Sequence, residues 1–329
     1  MTLRPSATIA AVMAIAPLPC ALAQASLDEV VVTATGRQAD AHETPQAIEV
    51  LRPGQAGTGE SAGAAPPGAL FRGEPGLAVQ SDGAWGQNPV LRGLKKESVV
   101  ILVDGVRVNS AQPQGAIASF LDLLDRAEVV KGPASVLYGS GAMGGVVNLI
   151  TPAPRYSDGP ESGARFGSSW GSADSGLAGA MLLRHSNSDY GLVVGLAGRN
   201  VDDYESPRGT EENTGYRSHS LLARYKQRLT DGIDLRLNLQ RHTDRDVWYP
   251  GSARTGGQPG GAGIPPPLGT VTIRSPEQRR ELYEVGVDAR LGSGELSAEL
   301  YRQEVSRQIR AWSERLGRDY VRNDVTFVT

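Results

Sequence analysis

Apolar and polar residues alternate with a period of two through much of the C-terminal half of the chain. Ile233, Leu235, Leu237 and Leu239 alternate with Asp234, Arg236, Asn238 and Gln240. Tyr283, Val285, Val287, Ala289 and Leu291 alternate with Leu282, Glu284, Gly286, Asp288 and Arg290; Leu221, Ala223, Tyr225 and Leu229 alternate with Leu222, Arg224, Lys226 and Arg228. Successive side chains of a strand point to opposite faces, so each run predicts a strand with one apolar and one charged face. In a soluble sandwich the charged face would meet bulk water. In a membrane barrel the apolar face meets lipid and the charged face a wet lumen, on strands of about ten residues.

Connection lengths separate the two readings. Strands near 189–201 and 217–230 are joined by a longer polar segment, and 217–230 and 233–245 by Asp231-Gly232. The Gly/Pro-rich stretch 246–276 follows, and then Gly292-Ser293-Gly294 between 277–291 and 295–309. Outer-membrane barrels alternate short periplasmic turns with long outer loops, whereas a sandwich has no reason to sort its loops so. The barrel is the preferred reading.

The texture upstream is different. From Leu77 to Ile150, short β-branched runs are split by glycine turns: Pro89 to Leu94, Ser98 to Val103, Ala127 to Lys131 and Gly145 to Thr151. Asp104-Gly105 between two valine-rich runs predicts a two-residue hairpin. A small mixed domain with a β core is implied. Residues 52–76, rich in Gly, Ala and Pro, read as a linker in which Pro66-Pro67 forbids a continuous helix. Before it, Asp28-Glu29-Val30-Val31-Val32-Thr33-Ala34-Thr35-Gly36-Arg37 is a β-branched run with no evident partner strand. It is either a first strand of a sheet or an edge for strand addition to another protein. The residues alone leave both open.

Composition narrows the function. Gly is 41 and Pro 21 of 329 residues, which suits many turns and short strands. A net charge of −3 supplies no global positive field to hold nucleic acid. Arg4, an apolar run from Ala7 to Leu18 and Ala21-Leu22-Ala23 have the grammar of a secretory signal peptide over residues 1–23, with cleavage after Ala23 or Ala25. Either cleavage removes Cys20, the single cysteine, so the mature chain has no disulfide or thiolate metal site; a lipid anchor on Cys20 is disfavoured by Pro19. No stretch approaches the roughly 20 apolar residues of a membrane helix, so a membrane placement requires a closed barrel. Gly139-Ser140-Gly141-Ala142-Met143-Gly144 imitates a dinucleotide fingerprint, but the β-branched run that follows reads as a strand where that site needs a helix. No paired carboxylates, metal-ligand spacing or activated nucleophile stands out, so no catalytic residue, metal ligand or cofactor is assigned.

The segment from Ala127-Glu128-Val129-Val130-Lys131-Gly132-Pro133 through Leu137-Tyr138-Gly139-Ser140-Gly141 to Val146-Val147-Asn148-Leu149-Ile150-Thr151 closely resembles the closing motif of the plug domain in TonB-dependent outer-membrane receptors. Pro75-Gly76-Leu77, Leu91-Arg92-Gly93-Leu94 and Val99 to Val108 resemble the earlier plug motifs in order, and Asp28 to Arg37 is similar to the TonB box. The resemblance covers about residues 28–151 by motif. It implies an α+β plug domain with a mixed β core, followed by antiparallel transmembrane β-barrel strands, in a parent of about 22 strands. The implied division is 1–23 signal peptide, 24–52 TonB box and lead-in segment, 53–155 plug, and 156–329 the first portion of the barrel.

The resemblance further implies an outer-membrane location and a gated, energy-coupled uptake of a scarce ligand. The periplasmic protein TonB would pair with Asp28, Glu29, Val30, Val31, Val32 and Thr33 and pull on the plug. Arg92 and Glu128 would belong to a plug–barrel charge network. Ligand would meet the plug apices around Ser81 to Asn88 and Asn109 to Gly115, where Trp85, Gln87, Arg107, Asn109 and Gln112 are the candidate contacts. A ferric siderophore or other iron complex is the leading expectation, with heme and cobalamin as alternatives, and outer-membrane lipid is the surrounding partner. His242 continues the lumenal parity of Asp234 to Gln240 and reads as polar lining. About eight strand segments follow residue 163, too few to surround a plug, since eight leave room only for side chains. The sequence is therefore expected to be truncated, and a non-transporting remnant that binds only TonB or ligand is the alternative function.

Overall fold

A computed structural model describes residues 30–31, 39–40, 47–53, 67–82, 85–108, 123–256 and 268–329. The expected signal peptide, Asp28, Glu29, Val32, Thr33, Asn109 and Gln112 lie outside these residues. The first part of the chain holds β1 (Val30–Val31), β2 (Ala39–Asp40), β3 (Ile48–Leu51), β4 (Leu77–Asp82), β5 (Gly86–Leu91), β6 (Leu94–Lys95), β7 (Val99–Val103), β8 (Val106–Arg107), β9 (Arg126–Lys131), the one-turn helix α1 (Ser135–Tyr138) and β10 (Gly145–Ile150). The second holds β11 (Glu161–Trp170), β12 (Leu177–Ser186), β13 (Tyr190–Val201), β14 (Tyr204–Ser206), β15 (Gly209–Glu211), β16 (Tyr216–Thr230), β17 (Ile233–Thr255), β18 (Thr270–Leu291), β19 (Gly294–Ser313) and β20 (Arg318–Val328).

The plug is built on a five-stranded mixed sheet in the order β3-β9-β10-β7-β8, in which β10 runs parallel to β7 and antiparallel to β9. Both faces of this sheet are covered, which explains why its strands read as continuous apolar runs without alternation. Phe71, Leu77, Leu91, Val129, Val147 and Leu149 pack on one side, and Val100, Leu102, Val130, Ala142 and Val146 on the other. Each such aliphatic side chain contributes about 1.5–3 kcal/mol by leaving water. The hairpin expected at Asp104-Gly105 joins β7 to β8, with both turn residues at positive φ, 50° and 85°.

Two expectations in this part are corrected. The linker reading of 52–76 ends too late, because Pro67–Phe71 form a 3-10 helix whose Leu70 and Phe71 enter the core. Pro67 is tolerated there because the first helical position has no intrahelical use for an N–H. The β-branched N-terminal run also has a partner after all: Val30 and Val31 pair antiparallel with Asp40 and Ala39.

The second part is an eight-stranded antiparallel wall, β11-β12-β13-β16-β17-β18-β19-β20, with β11 and β20 as its edges. The connections 187–189, 231–232 and 292–293 lie at one end of the wall; the other end carries 171–176, 314–317 and the longer 202–215 with its β14–β15 hairpin, and is where β17 ends and β18 begins. The stretch 246–276 is not one long loop. β17 continues to Thr255 and β18 begins at Thr270, with Trp248 opposite Arg274 and Tyr249 opposite Ile273. The register shift between Tyr249 and Arg254 absorbs Pro250 and Gly251, and the one between Arg274 and Gln278 absorbs Pro276, so these breakers sit in irregularities and not in turns.

Opposite faces of the wall differ as the alternation requires. Leu237, Tyr283, Val285 and Leu300 are exposed on the outer face, whereas Asn238, Gln240, His242, Asp244 and Arg280 are buried on the inner face, where the plug lies.

Candidate plug–wall interface and ligand-facing residues

The tip of the β7–β8 hairpin is where plug and wall are joined most densely. Asp104 accepts hydrogen bonds from the Thr151 amide at 2.8 Å and the Thr151 hydroxyl at 2.7 Å, both within the plug. From the wall, Gln240 Nε2 donates to the same carboxylate at 2.5 Å, and the Arg224 guanidinium lies 3.5 Å away. Arg224 also donates to the Thr151 hydroxyl oxygen at 3.0 Å and to its carbonyl at 3.3 Å.

A second chain of bonds extends this contact sideways. Arg280 donates to Gln240 Oε1 and to Gln303 Oε1, each at 2.8 Å, and Gln303 Nε2 donates to the Arg107 carbonyl at 2.9 Å. Asp104, Gln240, Arg280 and Gln303 are deeply buried, where an unpaired charge would be costly, so each partner holds the others in place. Beside this polar seam, Leu123 of the plug packs with Leu182, Val193 and Leu222 of the wall.

Toward the long-loop end, Trp85 is only 3% exposed and stands edge-on to Tyr249 at 5.5 Å, in a cluster with Val201, Tyr216 and Val247. Tyr249 in turn accepts a hydrogen bond from Gln278 at 2.9 Å and carries the Arg307 guanidinium 4.8 Å from its ring centre. The expected stacking surface at Trp85 is thus already occupied by the wall, a correction that follows from the extension of β17 past residue 245. Gln87 is buried as well. Its side chain fills the space left by Gly68, where a Cβ would fall 1.7 Å from Gln87 Oε1.

Arg107, though exposed, is engaged within the plug. Its two terminal nitrogens donate to the carbonyls of Tyr138 at 3.1 Å and Ser140 at 2.9 Å, bracing the glycine-rich loop that imitates a nucleotide site. Gly141, at φ 92°, must be glycine here, since a Cβ would meet the Glu97 carbonyl at 2.9 Å.

Glu128 is fully buried on β9 and is paired with Arg126 at 2.9 Å within the plug sheet. Burial pushes the Tyr138 phenol above its ordinary value, and the Glu128 carboxylate adds to the shift. Arg92 sits exposed at a plug turn, at φ 49°, with its amide bonded to the Gly76 carbonyl. The polar contacts between plug and wall described above join Asp104, Thr151 and Arg107 to Arg224, Gln240 and Gln303, and Asp125 lies 3.9 Å from Arg184. His242 lines the inner face as its parity requires, between Ser220 at 2.8 Å and Asp244 at 2.9 Å.

The chain is similar to known proteins in sequence and in fold. Residues 40–146 match the family described as TonB-dependent Receptor Plug Domain. A hemin receptor of Yersinia pestis is 33% identical over 229 residues, which cover 68% of this chain and 33% of that protein. The vitamin B12 transporter BtuB of Vibrio vulnificus (strain CMCP6) is 36% identical over 167 residues, 48% of this chain and 26% of its own. The solved structure of a ferric enterobactin receptor (PfeA) mutant from Pseudomonas aeruginosa shares the fold with a TM-score of 0.61 at 17% identity, covering 91% of this chain and 46% of that one. The chain thus spans about a third or less of the length of the two curated relatives.

Proposed function

Since the chain belongs to the TonB-dependent receptor family, whose members are outer-membrane β-barrels, we propose that it supplies the plug and part of the barrel wall of an outer-membrane receptor for a scarce iron complex. The observation that carries this reading is the buried polar seam at Asp104. It joins the plug to the inner face of the wall by hydrogen bonds that a pull can break one after another, beside the apolar contacts of Leu123 and Trp85. The proposed handle is Asp28 to Thr33. Strand addition by TonB would supply main-chain hydrogen bonds there, with alternate side chains giving specificity.

The ligand assigned is a ferric siderophore. A second reading, hemin, is favoured by the Yersinia pestis relative, which is itself described as a hemin receptor. With Trp85, Gln87 and Arg107 committed to packing and bracing, Asn109 and Gln112 are the plug residues that retain a proposed ligand role, together with the loops 202–215 and 256–269. The proposed domain division remains 24–52 for the coupling segment, 53–155 for the plug and 156–329 for the wall, after a signal peptide.

The test is saturable binding to outer membranes isolated from cells that express the protein, with a ferric catecholate siderophore, hemin and cobalamin compared in parallel. Saturable retention of the siderophore supports the first reading and that of hemin the second. Retention of cobalamin alone, or absence of the protein from outer membranes, would overturn the proposal.

A further inference from the structure

The outer face of the wall carries a groove of about 480 Å³ that the receptor reading does not use. It exists because two glycines, Gly179 on β12 and Gly198 on β13, stand opposite each other in register on the outward row. Neither is there to relieve crowding. A Cβ at Gly179 would come no closer than 3.7 Å to a neighbour, and one at Gly198 also no closer than 3.7 Å. Their missing side chains leave a furrow bordered by Phe166, Met181, Leu196 and Leu221, with His219, Arg241 and Thr243 at one end.

The position of this furrow follows from the outward residues. Leu235, Leu237 and Leu239 are the apolar outward positions of β17, and Arg241 is the first charged one toward the long-loop end. Arg241 lies opposite Leu221 of β16, in the row Phe166–Met181–Leu196–Leu221–Arg241, so the furrow runs across the strands from apolar residues on β11–β13 to the charged residue on β17. The charged end carries an excess of positive charge. Arg241 and Arg279 share the Glu281 carboxylate at 3.3 and 3.7 Å, while Arg279 and Arg302 share Glu304 at 3.8 and 3.5 Å. Three guanidiniums thus face two carboxylates, and Arg241 is 55% exposed.

We propose that this furrow is a lipid site on the outer-leaflet side, holding an acyl chain along the Gly179–Gly198 dent and its phosphate on Arg241. The proposal rests on the outer-membrane placement argued above. An apolar furrow in a lipid-facing surface has no water to fill it, and an acyl chain matches its long, dry shape. A phosphate at its charged end meets the unbalanced guanidinium, which suits charge-assisted pairing. The end with long connections faces the cell exterior in such barrels. The occupant committed to is therefore the phosphorylated, acylated glycolipid of that leaflet.

The experiment takes the full chain extracted from outer membranes in mild detergent and measures retained diphosphoryl lipid A by native mass spectrometry, with phosphatidylglycerol as competitor. Arg241→Gln should lower lipid A retention by about tenfold, the loss expected for one charge-assisted contact, and Gly198→Leu, which fills the furrow, should also lower it. Arg245→Gln changes a rim charge away from the furrow, paired with Glu277, and should retain it. If Gly198→Leu does not reach the outer membrane, Arg241→Gln decides alone. Equal losses for Arg241→Gln and Arg245→Gln, retention indifferent to all three, or preference for phosphatidylglycerol would each overturn the site. Outer-membrane fractionation of the unaltered protein is read separately, so failure of the placement is distinguished from failure of the lipid site.

Discussion

Replacing Asp104 with Asn isolates the charge at the centre of the plug–wall seam. Asn tolerates the left-handed conformation that Asp104 adopts, φ 50°, so the hairpin turn is preserved. The amide oxygen keeps the Thr151 N–H bond, but the new NH₂ group meets donors from Gln240 or the Thr151 hydroxyl, and the attraction to Arg224 at 3.5 Å is lost. Hydrogen bonds to a buried charged group are worth about 1.5–3 kcal/mol each. Two weakened contacts, offset by relaxation, give an expected loss of about 2–4 kcal/mol. Asp104→Ala should cost about 3–5 kcal/mol from the unpaired Arg224, and about 1 kcal/mol more from placing Ala at positive φ.

The assay is the urea midpoint for release of the plug from the wall, read by limited proteolysis of the folded protein in detergent. A double-mutant cycle with Arg224→Gln should give a coupling of about 1–3 kcal/mol. Additivity within about 0.3 kcal/mol would refute the reasoning, because it would mean that Asp104 and Arg224 do not hold the plug through each other.

Three further outcomes follow from the same geometry. Trp85→Ala empties a buried aromatic site between plug and wall and should cost about 3–5 kcal/mol, read as a lower urea midpoint for release, with Tyr249→Phe costing far less because the ring contact stays. Arg107→Ala frees the carbonyls of Tyr138 and Ser140 and should raise amide exchange across 138–141 while leaving the barrel strands unchanged. Asp203 is the third case. Burial raises its pKa, but the amides of Gly215, Thr214 and Asn213 and the Thr214 hydroxyl outweigh it and hold the carboxyl below the usual carboxylate range. A group whose folded pKa is depressed stabilises the fold above its unfolded pKa, about 3.9, and loses that contribution as pH falls through the lowered value. The protection of amides in the 203–215 loop, measured against their intrinsic exchange rates, should therefore fall on acidification below about pH 4, and Asp203→Asn should remove that acid-dependent loss of protection.

The wall was readable because its two faces meet different surroundings, so each strand carries its own record in alternation. The plug sheet was readable for the opposite reason, since burial on both faces produces unbroken runs such as Val99 to Val103. Residues 246–276 misled because Asp246, Pro250, Gly251 and Pro276 are turn residues locally. Tertiary pairing makes them irregularities, with Asp246 at φ 58°, in strands anchored by Val247 and Tyr249. Local sequence could not locate the site contacts either. Asp104 advertises its backbone turn, but Gln240, which shares its carboxylate, is 136 residues away. Arg107 reads as a free charge because the carbonyls that bind it lie 31 and 33 residues downstream. Gln240 was placed on the correct face by parity, but parity does not say which plug atom will meet it.

The most direct test of energy-coupled uptake replaces Val31, which pairs with Ala39 in this structure, by Pro in an otherwise intact receptor. Proline lacks the amide hydrogen that an added strand would engage. Binding and energised uptake of a ferric siderophore and of hemin are then measured on the same cells. The account predicts that binding of the preferred iron complex is unchanged and its energised uptake abolished. Uptake continuing at the unaltered rate in Val31→Pro would contradict it.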